Sequence, residues 1–317
     1  MPIIHTITLY SRPTEAQQCY ICNTFRYIGE AFIKEYSDGI KYTYFPKFNI
    51  LHIFLNPAKL LNTDSIYEFH CIPFIRVAES EVKRVFEEIS INKLIISRID
   101  FKIDFRTKYK DLYLLVFHKT ASSYRRLNQY NKYETSVYFN STSKNINIYD
   151  KQAERENKLQ IVDEKYLDML RIEMQMGRDY FKSQFKKFGV CENELVNYWK
   201  EKDRDYILNE YLKPIIFFGD YYTLYHSNRI LKENYTLTMT NKLIEFQKVI
   251  SRNGVSVAKS KYRSLFYAYK NRLEAVNINP IVIPKNNQYG LTHLPNLFNF
   301  TNENIYLLEE WKGLKAG

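Results

Sequence analysis

The chain has 317 residues, room for one large domain or two ordinary ones, and 45% of them are hydrophobic, which excludes a disordered polymer. Its 46 Lys and Arg outnumber 35 Asp and Glu, and the formal net charge of +11 suits a polyanionic partner that releases counterions on binding. No apolar run approaches the ~18 residues of a membrane span, and the start MPIIHTITLYSRPTEAQQ lacks the charged head and apolar stretch of a signal peptide. The expected location is therefore the cytoplasm, without a membrane partner. Four cysteines are too few and too scattered for a disulfide framework. Cys19-x-x-Cys22 with His70-Cys71 is a weak zinc pattern, and buried thiols are the expectation.

In chain order, residues 40–55 read as strands, because β-branched and aromatic residues dominate. Residues 79–90 read as a helix with Val82, Val85, Phe86 and Ile89 on one face. A strand is expected over 94–105, then a helical or mixed stretch, then strands over 135–140, 145–149 and 169–176. Residues 179–188 read as a helix stopped by Gly189. Further helices are expected near 192–200, 203–211, 240–252 and 256–276, the last two joined by a turn containing Gly254. A boundary is placed at 235, giving a catalytic domain over 1–235 and a basic helical region over 236–317. Residues 240–285 hold nine Lys and Arg against two Glu.

Three of these strands share a property. Side chains alternate along a strand, so Arg98, Asp100, Lys102 and Asp104 face away from Ile99, Phe101, Ile103 and Phe105. Arg171, Glu173 and Gln175 face away from Leu170, Ile172, Met174 and Met176. Asn145, Asn147, Tyr149 and Lys151 lie opposite Ile146 and Ile148. The expected fold is α+β: an antiparallel sheet, helices on its apolar face, and a mainly helical C-terminal region. On the polar face, Asp100 and Glu173, with Asp104 as a third participant, are candidate ligands for Mg²⁺ or Mn²⁺, hard cations that prefer carboxylate oxygens. A nearby cation such as Lys151 would favour the phenolate of Tyr149. Cross-strand charge pairing that only solvates the sheet is the better account of any one of these residues taken singly, and it is their joint pattern that points to chemistry.

The order Arg98-Ile-Asp100-x3-Asp104, Tyr138-Phe139, Ile148-Tyr149-Asp150-Lys151-x2-Glu154-Arg155 and Arg171-Ile-Glu173 resembles the Rep_trans family. These are rolling-circle initiators of small plasmids and related conjugative relaxases, and the likeness includes Asn49 to Leu60. The resemblance implies an HUH-related nickase core with acidic metal ligands in place of a His pair. It implies that Tyr149 is the nucleophile, joined to a 5′-phosphate after nicking one DNA strand at an origin, single-stranded, hairpin or duplex. Gln175 departs from it, since some members carry an acid there. A likeness of the tail to filamentous-phage replication endonucleases leaves phage and plasmid sources both open.

Two helices around a short turn resemble a helix-turn-helix, with Lys259, Lys261, Arg263, Lys270 and Arg272 toward DNA, alongside Arg98, Lys102 and Arg171 on the sheet. The alternative is a helical hairpin with a solvated cationic face. Host helicase or polymerase and a second copy of the chain are the further partners this reading allows. Two rival functions stand beside the nickase: a hydrolytic nuclease in which Tyr149 is incidental, and a non-catalytic origin-binding protein.

Overall fold

Alternating hydrophobicity becomes a nine-stranded sheet in the computed structural model, which describes residues 3–120, 135–141, 143–158, 161–188, 195–200 and 211–298. The elements are β1 (Ile3–Ser11), α1 (Glu15–Thr24), β2 (Arg26–Ile28), β3 (Ala31–Ser37), β4 (Ile40–Phe45), β5 (Ile50–Leu55), α2 (Pro57–Leu60) and α3 (Cys71–Val85). They continue with β6 (Ile95–Arg106), α4 (Lys110–Lys119), β7 (Ser136–Asn140), β8 (Lys144–Asp150), α5 (Lys151–Asn157), β9 (Met169–Gly177), α6 (Arg178–Phe188) and α7 (Leu195–Trp199). A helical stretch α8 (211–216) leads into β10 (Tyr221–Tyr222), α9 (Leu224–Asn234), α10 (Leu237–Asn253), α11 (Val255–Tyr262), α12 (Ser264–Ala275) and β11 (His293–Leu294). The sheet order is β2-β3-β4-β5-β1-β6-β9-β8-β7, and the fold is α+β with a helical C-terminal region. Among the described residues, no helix is long and apolar enough to cross a membrane.

The chain divides into two compact units. The first holds Met1–Ile103, Ser141–Ile146 and Glu173–Tyr206; the second holds Asp104–Asn140, Asn147–Ile172 and Ile207–Gly317. In the first, β1 pairs antiparallel with β5 and β6, and β2 to β5 form an antiparallel meander. Its core takes Ile7 and Leu9 from β1, Tyr42 from β4, Ile53 from β5, and Phe74, Ala78 and Val82 from α3. In the second, α10 packs on α9, α11 and α12, burying Leu243, Phe246 and Ile250.

The strands expected over 94–105, 135–140, 145–149 and 169–176 lie where the alternation placed them. Three expectations are corrected. The helix over 79–90 instead runs Cys71–Val85, because Phe86 leaves the helical conformation and packs against Tyr20, Phe25 and Tyr42. The helix over 256–276 is two helices broken at Arg263, whose φ is 47°. The break lets Tyr262, Phe266 and Tyr269 all close on Phe246. Cys19 and Cys22 are exposed on α1, which buries only Ile21, while Cys71 is buried. Residues 203–210, Gly189 and Cys191 lie outside the described residues.

Gly219 shows how tightly the second unit is built. Its φ is +80°, and an added Cβ would meet the backbone of Asn277, Ile278 and Asn279 at 2.6–2.8 Å. The buried Asn279 amide donates to the carbonyls of Ile216 and Gly219 across that contact. Gly219→Ala combines a disfavoured backbone region with a clash and should destabilise the chain by more than ~1 kcal/mol. Urea unfolding of the variant against the parent chain measures this, and an unchanged midpoint would refute the close approach.

Candidate active site

The polar side of β6 is built by alternation. Ile99, Phe101, Ile103 and Phe105 are buried, and Arg98, Asp100, Lys102 and Asp104 take the other face. Asp100 is nevertheless only 6% exposed, and a buried carboxylate is costly unless it is paired and hydrogen-bonded. Arg98, two residues back on the same face, supplies a two-pronged fork: Nε donates to Oδ1 at 2.6 Å and Nη2 to Oδ2 at 2.7 Å. The Thr6 hydroxyl donates to Oδ2 at 2.7 Å. Burial alone would lower the pKa of the Arg98 guanidinium, but its hydrogen bonds to Asp100 and the charges of Asp100 and Glu173 raise it overall.

Glu173, on β9, has His5 Nε2 at 3.8 Å from its Oε1, an ion pair when the imidazole is protonated. His5 reaches it through a break in register. Ile4 opposes Phe101 and Thr6 opposes Asp100, which leaves His5 as an extra residue in β1. A β-bulge of this kind re-aims a side chain. Thr6, His5, Arg98, Asp100 and Glu173 thus form one cluster within the first unit.

Asp104, Tyr149, Lys151 and Arg171 belong to the second unit. Arg171 is only 4% exposed, and its Nε and Nη2 donate to the two oxygens of Asp104 at 2.6 and 2.9 Å. Both Asp104 oxygens therefore face a buried guanidinium. Tyr149 is half-buried, in step with Asn145 and Asn147, while Ile146 and Ile148 are buried. The strand stops at Asp150, so Lys151 is the first residue of α5 and not a continuation of the β8 face, correcting that expectation.

Asp150 makes this turn. Its Oδ1 accepts from the backbone of Gln152 at 2.9 Å and Ala153 at 3.2 Å, an N-cap. Its Oδ2 lies 2.9 Å from the ammonium of Lys110, which is equally buried. The cap brings Lys151 Nζ 5.7 Å from the Tyr149 ring centroid. The same amine donates to Glu154 at 2.6 Å, and Lys158 also pairs with Glu154. Burial would raise the Glu154 pKa, but its hydrogen bonds and charge interactions with Lys151 and Lys158 hold it below the ordinary value.

Asp100 and Glu173 offer carboxylates and His5 an imidazole. Among the described residues, no group of three or more His, Cys, Asp and Glu is gathered closely enough to cage a metal ion. A hydrated hard cation takes one or two carboxylates and keeps several waters, whereas both Asp100 oxygens here are held by the Arg98 fork.

Of the cations expected to face DNA, Arg98 is exposed and Lys102 half-exposed, whereas Arg171 is buried. Lys261, Arg263 and Arg272 are exposed on α11, α12 and the break between them. Lys259 lies over the Phe266 ring at 5.5 Å, and Lys270 pairs with Glu274 at 2.6 Å. His5, Thr6, Lys110 and Asp150 are site residues that the sequence did not single out. The residue pattern carried a signal for Asp150 alone, an Asp at a strand end followed by Lys-Gln-Ala-Glu, good helix formers.

The family described as replication-associated protein G2P N-terminal matches residues 40–198, half of the chain, and the chain belongs to that family. It is a family of phage rolling-circle replication initiators, and the chain is a rolling-circle replication initiation protein. The match supports the coarser part of the expected resemblance, a rolling-circle initiator, and not Rep_trans specifically. No curated protein matches the chain.

The ion pairs can be tested by substitution and by titration. Asp104→Ala removes the carboxylate that both prongs of the buried Arg171 fork meet and should cost ~3–5 kcal/mol, read from denaturant unfolding; a loss below ~1 kcal/mol would show that the Asp104 pair is not what holds Arg171. Glu154 has a depressed folded pKa, so its contribution is complete above the unfolded value of ~4.3 and is lost as pH falls through the lower folded value. An NMR titration should place its carboxyl midpoint below ~4.3. Lys151→Ala should move that midpoint upward.

Proposed function

We propose that this chain nicks one DNA strand at a replication origin, with Tyr149 as nucleophile and Asp100 and Glu173 as ligands of Mg²⁺ or Mn²⁺. The observation that carries the reading is that the family match encloses Asp100, Tyr149, Lys151 and Glu173 together. The half-exposed Tyr149 ring beside the Lys151 ammonium supports it.

In the proposed step the Tyr149 phenolic oxygen attacks the scissile phosphorus. The bond from phosphorus to the 3′ oxygen breaks, and that oxygen leaves with a proton as a 3′-hydroxyl able to prime synthesis. The 5′-phosphate stays on the tyrosine. The Lys151 ammonium, 5.7 Å from the Tyr149 ring centroid, would favour the ionised phenol, and Glu154, its partner at 2.6 Å, would orient it. A divalent cation held by the two carboxylates would polarise the phosphate and offset its developing charge. Arg98 would have to release Asp100 for that ligation. The region over 236–317 is proposed as the origin-recognition part, with Lys261, Arg263 and Arg272 outermost. The fork on Asp100 favours one rival, an origin-binding protein whose carboxylates serve only the fold.

The test is incubation of the full chain with labelled single-stranded origin DNA and Mg²⁺ or Mn²⁺, followed by denaturing electrophoresis. A covalent adduct is expected, and it should vanish in Tyr149→Phe. Cleavage that persists in Tyr149→Phe would sink the tyrosine mechanism in favour of water attack. Asp100→Ala and Glu173→Ala should lower cleavage by more than the ~10–100-fold typical of residues that merely support metal ligands, with DNA binding largely kept. Binding without cleavage in the parent chain would favour the rival.

A further inference from the structure

A groove in the C-terminal part of the second unit has no role in the nicking step and lies outside the residues matched by the family. It is a cavity of about 540 Å³, lined by Tyr225, Asn228, Lys248, Ser251, Arg252 and Lys285 over an apolar floor. Three cations line it and no carboxylate does. Glu245 approaches Lys248 at 3.6 Å but stands outside the lining. Arg252 and Lys285 are exposed. Tyr225 is 65% exposed and sits in the first turn of α9, whose N-terminal dipole adds positive potential.

Cations beside an outward aromatic ring suit one kind of ligand. The cations take phosphates, and the ring takes the face of a base that has no stacking partner. Duplex DNA presents no such free face along its length. We propose that this groove binds a single strand of DNA, with Arg252, Lys285 and Lys248 on its phosphates and Tyr225 stacked on one unpaired base. Asn228 and Ser251 add neutral hydrogen-bonding groups at the same wall. The site is separate from Tyr149 in sequence and does not depend on the nicking mechanism.

The experiment measures anisotropy of a labelled oligothymidine and of a matched duplex, using full-length Tyr149→Phe so that cleavage cannot interfere. Arg252→Ala with Lys285→Ala should weaken single-strand binding at least ~10-fold. It should also flatten the slope of log K against log salt by about 0.7 for each phosphate no longer neutralised. Tyr225→Ala should weaken single-strand binding by ~5-fold or more and duplex binding much less, with Tyr225→Phe restoring it. These side chains are at the surface, and an unchanged thermal midpoint in each variant confirms that folding is not what moved. Unchanged affinity and slope in the double variant would overturn the proposal. So would equal losses for single strand and duplex in Tyr225→Ala. Displacement of the oligonucleotide by inorganic phosphate or a mononucleotide at equal concentration would also overturn it, showing a small-phosphate site and no strand track. If the parent forms no adduct with origin DNA while these losses appear, the nicking reading fails and the groove stands.

Discussion

Strand β6 imposes the constraint on which the described sites depend. Its alternate residues Ile99, Phe101, Ile103 and Phe105 are buried, so the intervening Asp100 and Asp104 must take the opposite face. A slip of one residue would turn Asp100, Lys102 and Asp104 into the apolar core, each needing a partner that is not there. That asymmetry fixes the register. It also explains why both aspartates carry arginine forks, Arg98 on Asp100 and Arg171 on Asp104. Each carboxylate is partly withdrawn from water by the sheet, and a planar guanidinium satisfies both of its oxygens at once.

The second organising feature is the handover from β8 to α5. Asp150 caps the helix through Oδ1 while the Lys110 ammonium lies against both of its oxygens, so a single buried side chain ends the strand and anchors α4 nearby. Lys151 then leaves the strand direction and returns toward the Tyr149 ring. The pairing of tyrosine and lysine comes from a turn of helix, not from side chains in step along a strand.

The fold was legible where period two ran on, in β8, β9 and the part of β6 beyond its bulge at Ser97. β6, β8 and β9 each lie within one residue of the expected limits at either end, and their apolar faces are buried as read. Where the period breaks, reading fails for a physical reason. β1 contains a bulge at His5, so its alternation is out of step, and neither His5 nor Thr6 stood out. Lys110 and Asp150 are 40 residues apart, and nothing local marks a lysine in an apolar helix as the partner of a distant cap. The break at Arg263 is hidden because Tyr262, Phe266 and Tyr269 keep helical spacing across it. Faces could be assigned from sequence, but partners across faces could not: Arg171 shares a polar face with Glu173, yet it turns to Asp104.

The Arg98 fork also bears on the cation proposed for Asp100. A carboxylate that must wait for metal destabilises the fold until the metal arrives, as in small zinc domains that unfold without it. Here a guanidinium two residues away already neutralises Asp100. An incoming ion would compete with a tethered rival of high effective concentration. On the proposed reading, occupancy would then follow the free divalent cation level at an apparent Kd raised by that competition.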